Sequence, residues 1–302
     1  MSTETVKHDP PPQENPAAIA DGWADAYTPE VNVYVPHRTT VPPLRPYLAE
    51  LWRRRDFAVE MARMRLRAQH YGTVFGMTWL LLGPLCLGGV YFVLVDILRG
   101  GQHPPGFFAH LLGGIFAYQL FAESVRRSAA SVTSGGKLIL NTAFPRALLP
   151  ISEVITSIVR FGPMMVLYAV IHVLSGLPVN LNTLWALLIF AEIVVFASGL
   201  SLLMAALQVY FRDVKEFLPY LMRVWLYLSP VLWYADEVPH GYGWLLYVNP
   251  LGPMLTAWSE SLNQGITPGG NWLLVGAGWA VLGLIVGFVF FTSREREFAV
   301  RL

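Results

Sequence analysis

Six long apolar stretches, separated by short polar segments, set the pattern of this chain of 302 residues. A helix needs about 20 mostly apolar residues to cross the hydrocarbon core of a bilayer. The stretches predict spans over roughly Val74–Leu98, Phe107–Ser124, Ile151–Leu177, Leu184–Tyr210, Phe217–Tyr234 and Trp272–Phe291. Upstream, from Tyr47 to His70, Leu48, Leu51, Trp52, Val59, Met61 and Leu66 interleave with six arginines, the pattern of an amphipathic helix at a membrane interface. An ordinary surface helix with the same spacing is the alternative. Before it, nine prolines between Pro10 and Pro46 stand among Asp, Glu, Asn and Gln, a composition that buries too little apolar surface to order itself. No apolar h-region follows the initiator Met, so this tail does not read as a signal peptide. The chain therefore divides into a proline-rich tail at 1–46, an interface helix at 47–72 and a six-helix membrane domain at 73–302.

Charge fixes an expected orientation. Of 21 Lys and Arg, 18 fall in segments on one side of the six spans. Arg99 alone falls on the other side, and Arg160 and Arg223 lie inside spans. Basic flanks stay in the cytoplasm during insertion, so both termini are expected there. The three outer segments are GGQHPPG, GLPVNLN and Ala235–Asn271. A hydrophobic content of 54% with 14% charged residues agrees with an all-α membrane protein, while a net charge of +1 names no partner and gives no sign of nucleic-acid binding. Cys86, the single cysteine, excludes a disulfide within the chain.

Catalytic chemistry finds little support. Ser134-Gly135-Gly136-Lys137-Leu138 lacks the leading glycine of a phosphate loop and ends in Leu where a magnesium-binding hydroxyl belongs. Asp236, Glu237 and His240 crowd one outer loop without helical metal-ligand spacing, so a solvated loop is the expectation and no metal is assigned.

Three segments carry a resemblance. Asn141-Thr142-Ala143-Phe144-Pro145-Arg146-Ala147-Leu148-Leu149-Pro150 follows the second span. Gln208-Val209-Tyr210-Phe211-Arg212-Asp213-Val214 leads into Ser229-Pro230-Val231-Leu232-Trp233-Tyr234. Val248-Asn249-Pro250-Leu251-Gly252-Pro253-Met254 lies in the last outer segment. In this order, between these spans, the set resembles the permease subunit of ABC-2 type exporters, in the branch that exports lipid-linked polysaccharides such as O-antigen, teichoic acid and galactan. The resemblance covers roughly residues 47–302.

That resemblance implies a homodimer in the bacterial inner membrane, joined to two copies of a separate ATPase that holds ATP and Mg; this chain itself needs no cofactor. It implies that Phe144, Pro145 and Arg146 sit at the coupling helix that meets the ATPase. An apolar anchor, a fixed backbone angle and a bidentate cation suit that task, although Pro at a helix start is equally favoured. Arg212 and Asp213 either close a tight turn by satisfying each other or touch the ATPase. Asn249–Gly265 is expected to form short re-entrant gate helices, with Trp258-Ser259-Glu260 where relatives often carry a basic residue.

A glycan pathway calls for aromatic faces, which pack on sugar C–H surfaces while their polar tips reach hydroxyls. Tyr220, Tyr227 and Tyr234 are spaced by seven residues along the fifth span, which Pro230 is expected to kink. Phe75, Trp79 and Tyr91 occupy the first span, and Trp244, Tyr247 and Trp258 the exit segment. An interfacial aromatic belt is the competing account for those near the outer surface. Arg160, Glu192 and Arg223 lie within spans and require partners or water; a Glu192–Arg160 pair is expected, either structural or lining the pathway. Gly276, Ala280, Gly283 and Gly287 form a small-residue stripe for close helix packing. The expected function is ATP-driven export of a lipid-linked polysaccharide out of the cytoplasm. A permease for a drug or small lipid, or a membrane glycosyltransferase or acyltransferase, is the alternative.

Overall fold

The computed structural model describes residues 43–69, 78–142, 144–239 and 241–301. All regular structure among them is helical: α1 (Leu44–Arg53), α2 (Arg55–Gln69), α3 (Trp79–Leu98), α4 (Phe107–Ala129), α5 (Leu148–Leu174), α6 (Trp185–Tyr210), α7 (Val214–Leu228), α8 (Trp244–Val248), α9 (Leu251–Ser259) and α10 (Gly270–Arg294), with short helical turns between some of them. Four segments, Trp79–Leu98, Leu148–Leu174, Leu181–Tyr210 and Gly270–Arg301, are long and apolar enough to cross a membrane. The expected second and fifth spans differ from these. α4 carries Glu123, Arg126 and Arg127 and is buried along most of its length, making it the central helix of the bundle. α7 has 15 residues, about 22 Å at the α-helical rise of about 1.5 Å per residue, less than the hydrocarbon thickness of about 30 Å.

Pro230 does not kink α7; the helix has already ended at Leu228. A proline disfavours helical backbone at the residue before it, and Ser229 is extended with ψ of 150°. Asn249 then secures this end. Its Nδ2 donates to the Leu228 carbonyl at 3.1 Å, and its Oδ1 accepts from Trp225 Nε1 at 2.7 Å and from the Leu251 N–H at 3.1 Å. One side chain thus stops α7 and starts α9. Gly252 follows because a Cβ there would stand 2.2 Å from the Leu246 carbonyl oxygen.

α9 is buried from Leu251 to Ser259 and packs against α10, α6 and α4. A π-helical turn, Glu260–Gln264, continues it to Gly265, whose φ of +65° reverses the chain. The Gly265 carbonyl accepts from Asn180 Nδ2 at 2.6 Å and Asn182 Nδ2 at 2.8 Å, which anchors the reversal to the segment between α5 and α6.

α6 and α10 make the most extensive helix pair. Gly199 and Gly287 meet so closely that a Cβ on Gly287 would lie 1.8 Å from the Gly199 oxygen, and one on Gly283 would lie 2.7 Å from the Phe196 ring. The small-residue stripe is therefore the seam of this pair. At the end of the bundle that carries α1 and α2, Ala58 and Ala62 are fully buried, and α2 lies against α5. Arg65 joins them, bonding Glu153 at 2.5 Å and Ser152 Oγ at 2.8 Å. The interface-helix pattern resolves into two faces. Tyr47, Leu51 and Met61 pack inward, while Leu44, Leu48 and Trp52 remain exposed on α1.

Candidate functional site

A cleft of about 460 Å³ opens between α3, α4, α5 and α7. Its walls follow from one helix face on each element. α3 turns Trp79 and Tyr91 into it, and α4 turns Tyr118 and, further along the helix, Glu123, Arg126 and Arg127. α5 adds Arg160 and α7 adds Arg223. α7 is held to α4 by the Tyr118 hydroxyl, which donates to the Met222 carbonyl. The Tyr91 and Tyr227 hydroxyls lie 3.2 Å apart, with their rings edge to face at 6.0 Å. The cleft thus has aromatic faces with polar tips beside a concentration of positive charge.

Four arginines meet one carboxylate there. Glu123 accepts from Arg126 and, at 2.9 Å, from Arg127 Nε. Arg160 and Arg223 have no ion pair or hydrogen bond among the described residues, and Arg160 Nε is buried without a partner. An unpaired charge at the centre of a bilayer costs about 3 kcal/mol or more, which an open, water-accessible cleft relieves. The expected Glu192–Arg160 pair is absent. Glu192 is on α6, 7% exposed, with Oε2 in the space that Gly276 leaves: a Cβ there would be 2.5 Å from that oxygen. It faces α10, and it lies about 9 Å further from the α1 end than Arg160 does.

The other aromatic candidates divide. Tyr220 and Tyr227 share α7 and are exposed. Tyr234 is not on that helix, because the helix stops first; it stacks on His110 with ring centroids 3.9 Å apart. Trp244 is exposed on α8, and Tyr247 stacks on Trp272 at 4.8 Å. Trp258 is 2% exposed and packs near Phe161, so it is a core residue of the bundle and lines no open passage. Phe75 lies outside the described residues.

At the opposite end from α1, Arg99 grips Glu237 bidentately at 2.7 and 2.6 Å, and Glu237 also accepts the Tyr234 N–H at 3.0 Å. Burial raises the Glu237 pKa, but the Arg99 hydrogen bonds and charge outweigh it and hold the carboxyl below its ordinary range; Arg99 is raised in turn. Glu237 therefore fastens the segment after α7 to the end of α3. His240, its expected neighbour in the polar cluster, lies outside the described residues.

The Phe144-Pro145-Arg146 corner turns inward. Phe144 packs on Phe57 of α2 with centroids 5.3 Å apart, and Pro145 is buried. The Arg146 guanidinium, expected to await a partner's carboxylate, donates instead to the Glu295 carbonyl of this chain. Glu295 is the residue that sequence reasoning missed. Its carboxylate accepts both the Arg146 N–H and, at 2.6 Å, the Tyr47 hydroxyl. In sequence it stands within Arg294-Glu295-Arg296-Glu297, indistinguishable from a solvated charged run. Arg212 and Asp213 form no ion pair with each other among the described residues. The turn is closed by Gln208, whose Nε2 donates to the Arg212 carbonyl at 2.9 Å and whose Oε1 accepts the Lys215 N–H at 2.7 Å.

Comparison with known proteins agrees with this architecture. The ABC-2 type transporter family matches residues 60–262. An O-antigen export system permease protein RfbA of Klebsiella pneumoniae is 27% identical over 215 residues, covering 70% of this chain and 82% of the relative. A second from Klebsiella pneumoniae is 25% identical over 245 residues, covering 81% and 94%. One from Myxococcus xanthus is 25% identical over 256 residues, covering 83% and 96%. With several helices fit to span a bilayer and a match over most of its length, this multi-pass membrane chain is a transporter subunit and belongs to the ABC-2 type transporter family.

Proposed function

We propose that this chain is the permease of a bacterial exporter that carries a lipid-linked polysaccharide, of the O-antigen kind, from the cytoplasm across the inner membrane. The reading rests on one observation above others: a cleft among the helices of the membrane domain that sets Trp79, Tyr91 and Tyr118 beside arginines. Aromatic faces hold sugar rings without the fixed geometry of a charged grip, so a long chain can slide. Near full-length likeness to relatives named as O-antigen export permeases supports the substrate class. The cleft lies between helices of one chain, and a second copy of the chain would extend it into a passage. Two ATPase subunits would supply the energy and act on the end that carries α1, α2 and the Phe144–Arg146 corner. The distribution of basic segments supports a cytoplasmic position for that end and for both termini.

Reconstitution tests this. Permease and cognate ATPase in liposomes should move a lipid-linked O-antigen across the bilayer only with ATP, while the permease alone hydrolyses none. Transport of short lipids or drugs with the glycan excluded would favour the other substrate class.

A further inference from the structure

We infer that α1 and the start of α2 form a binding surface for anionic phospholipid headgroups, which ties the Phe144–Arg146 corner to the membrane surface. The inference takes from the exporter reading only the placement of that end at the cytoplasmic leaflet. α1 has two apolar faces. Tyr47 and Leu51 pack inward, while Leu44, Leu48 and Trp52, spaced by four residues, form one exposed stripe. A contiguous apolar stripe rimmed by charge marks a surface that something covers.

Position and charge together name the occupant. The Tyr47 ring meets Phe288 of α10 edge to face at 5.8 Å. α10 belongs to a segment long and apolar enough to cross a membrane, and on either side of Phe288 it exposes Val286 and Val289. The contact lies about 9 Å along the helix axis before the charged end at Arg294. α1 therefore sits beside an apolar, exposed stretch of a spanning helix, near the level where that helix leaves the bilayer.

Residues 44–69 hold seven arginines against three carboxylates. Glu50 is shared by Arg53 and Arg54, while Arg45 and Arg67 have no ion pair among the described residues. Arg65 alone of the seven is drawn into the bundle, by Glu153. Arg55 lays its guanidinium over the Trp52 ring at 4.7 Å, so a cation stands on the stripe itself. Arg45 lies seven residues before Trp52, on the same side of α1. Exposed ion pairs with neighbouring acids gain little in water, whereas guanidinium forks match phosphate oxygens bidentately. Leucines and an indole at the acyl boundary beneath phosphate-bound arginines hold a helix on an anionic membrane surface. A neutral apolar partner would leave these cations unmatched. The seat of α1 also bears on the corner: the Tyr47 hydroxyl donates to the Glu295 carboxylate that holds the Arg146 N–H, and Phe57 of α2 packs on Phe144.

The test uses the full permease–ATPase complex in liposomes of phosphatidylcholine alone, or of phosphatidylcholine and phosphatidylglycerol in equal parts. Cys86→Ser with Leu48→Cys puts a single thiol on the stripe, and a water-soluble maleimide reads its exposure. Phosphatidylglycerol should slow labelling about fivefold or more, and high salt should reverse much of that protection. Arg45→Gln, Arg53→Gln and Arg55→Gln together should remove the difference between the two lipids, and the three Arg→Lys changes should keep it. Equal labelling rates in the two lipids would overturn the inference, as would protection by phosphatidylglycerol that survives the Gln changes. Protection in phosphatidylcholine alone that appears only when the ATPase is present would overturn it in favour of a protein cover. If the Gln variant does not assemble, salt decides: protection that salt leaves unchanged in the parent and Lys proteins would overturn the inference. Glycan transport is not read, so failure of the exporter reading would leave this result standing, and unprotected labelling would leave the exporter reading untouched.

Discussion

Removal of the Glu295 carboxylate should open the junction between α1, the Phe144–Arg146 corner and the chain end. Two bonds converge on that carboxylate, from the Tyr47 hydroxyl at 2.6 Å and from the Arg146 N–H. Hydrogen bonds to a charged group contribute about 1.5–3 kcal/mol each, so Glu295→Ala should weaken the junction by about 3–6 kcal/mol. Glu295→Gln keeps an acceptor oxygen and loses the charge, and should cost about 1–2 kcal/mol. The Arg146 guanidinium bond runs to the Glu295 backbone carbonyl and survives both substitutions, which confines the loss to the side chain. The assay is trypsin cleavage at Arg53, Arg54 and Arg55 on α1 in inverted membrane vesicles, where cleavage follows the open population if reclosing is fast. A loss of about 3 kcal/mol raises that population about a hundredfold. Glu295→Ala should be cut far faster than wild type, with Glu295→Gln between them and glycan export falling in the same order. Cleavage of Glu295→Ala within twofold of wild type would refute the view that this carboxylate holds the junction.

Three further outcomes are expected. Trp79→Ala should leave protein abundance unchanged and slow glycan export, because Trp79 is half exposed in the cleft; Trp258→Ala should cost about 3–5 kcal/mol and deplete the protein from the membrane, because its ring is core. Immunoblots and export per molecule separate the two. Gly287→Ala should destabilise the α6–α10 seam by about 1–3 kcal/mol, seen in thermal unfolding, while Gly278→Ala, where a Cβ meets nothing within 4 Å, should change little. The Arg99–Glu237 fastening should loosen in acid. The Glu237 carboxyl is lowered in the folded state, so its stabilisation is complete above the unfolded pKa and is lost as pH falls through the folded one. Hydrogen exchange over residues 229–239 should accelerate below the ordinary carboxylate range in wild type and at all pH values in Glu237→Gln.

The apolar stretches located most helices by themselves, because in a bilayer the backbone must satisfy its hydrogen bonds within each segment. Length and hydropathy are local properties, and α3, α5, α6 and α10 follow them. The glycine stripe was equally legible, since Gly283 and Gly287 leave room for another backbone whichever helix supplies it. Motifs with compact local duties, such as Asn249 through Gly252, stood out before their contacts were visible.

Tertiary structure decided which way each residue faces and what it meets. Glu192 lies about 9 Å further along its helix from the α1 end than Arg160 does along α5, and it faces Gly276 of α10, which leaves the guanidinium in the cleft. Trp258 reads as a pathway aromatic of the exit segment until α9 is seen enclosed by α4, α6 and α10. Glu295 meets Tyr47 across 248 residues and Arg146 across 149. A linear pattern records spacing along the chain and helical phase within one element. The relative rotation and register of separate helices are set by packing among all of them, and that packing gathers the rings and arginines of four helices into one cleft.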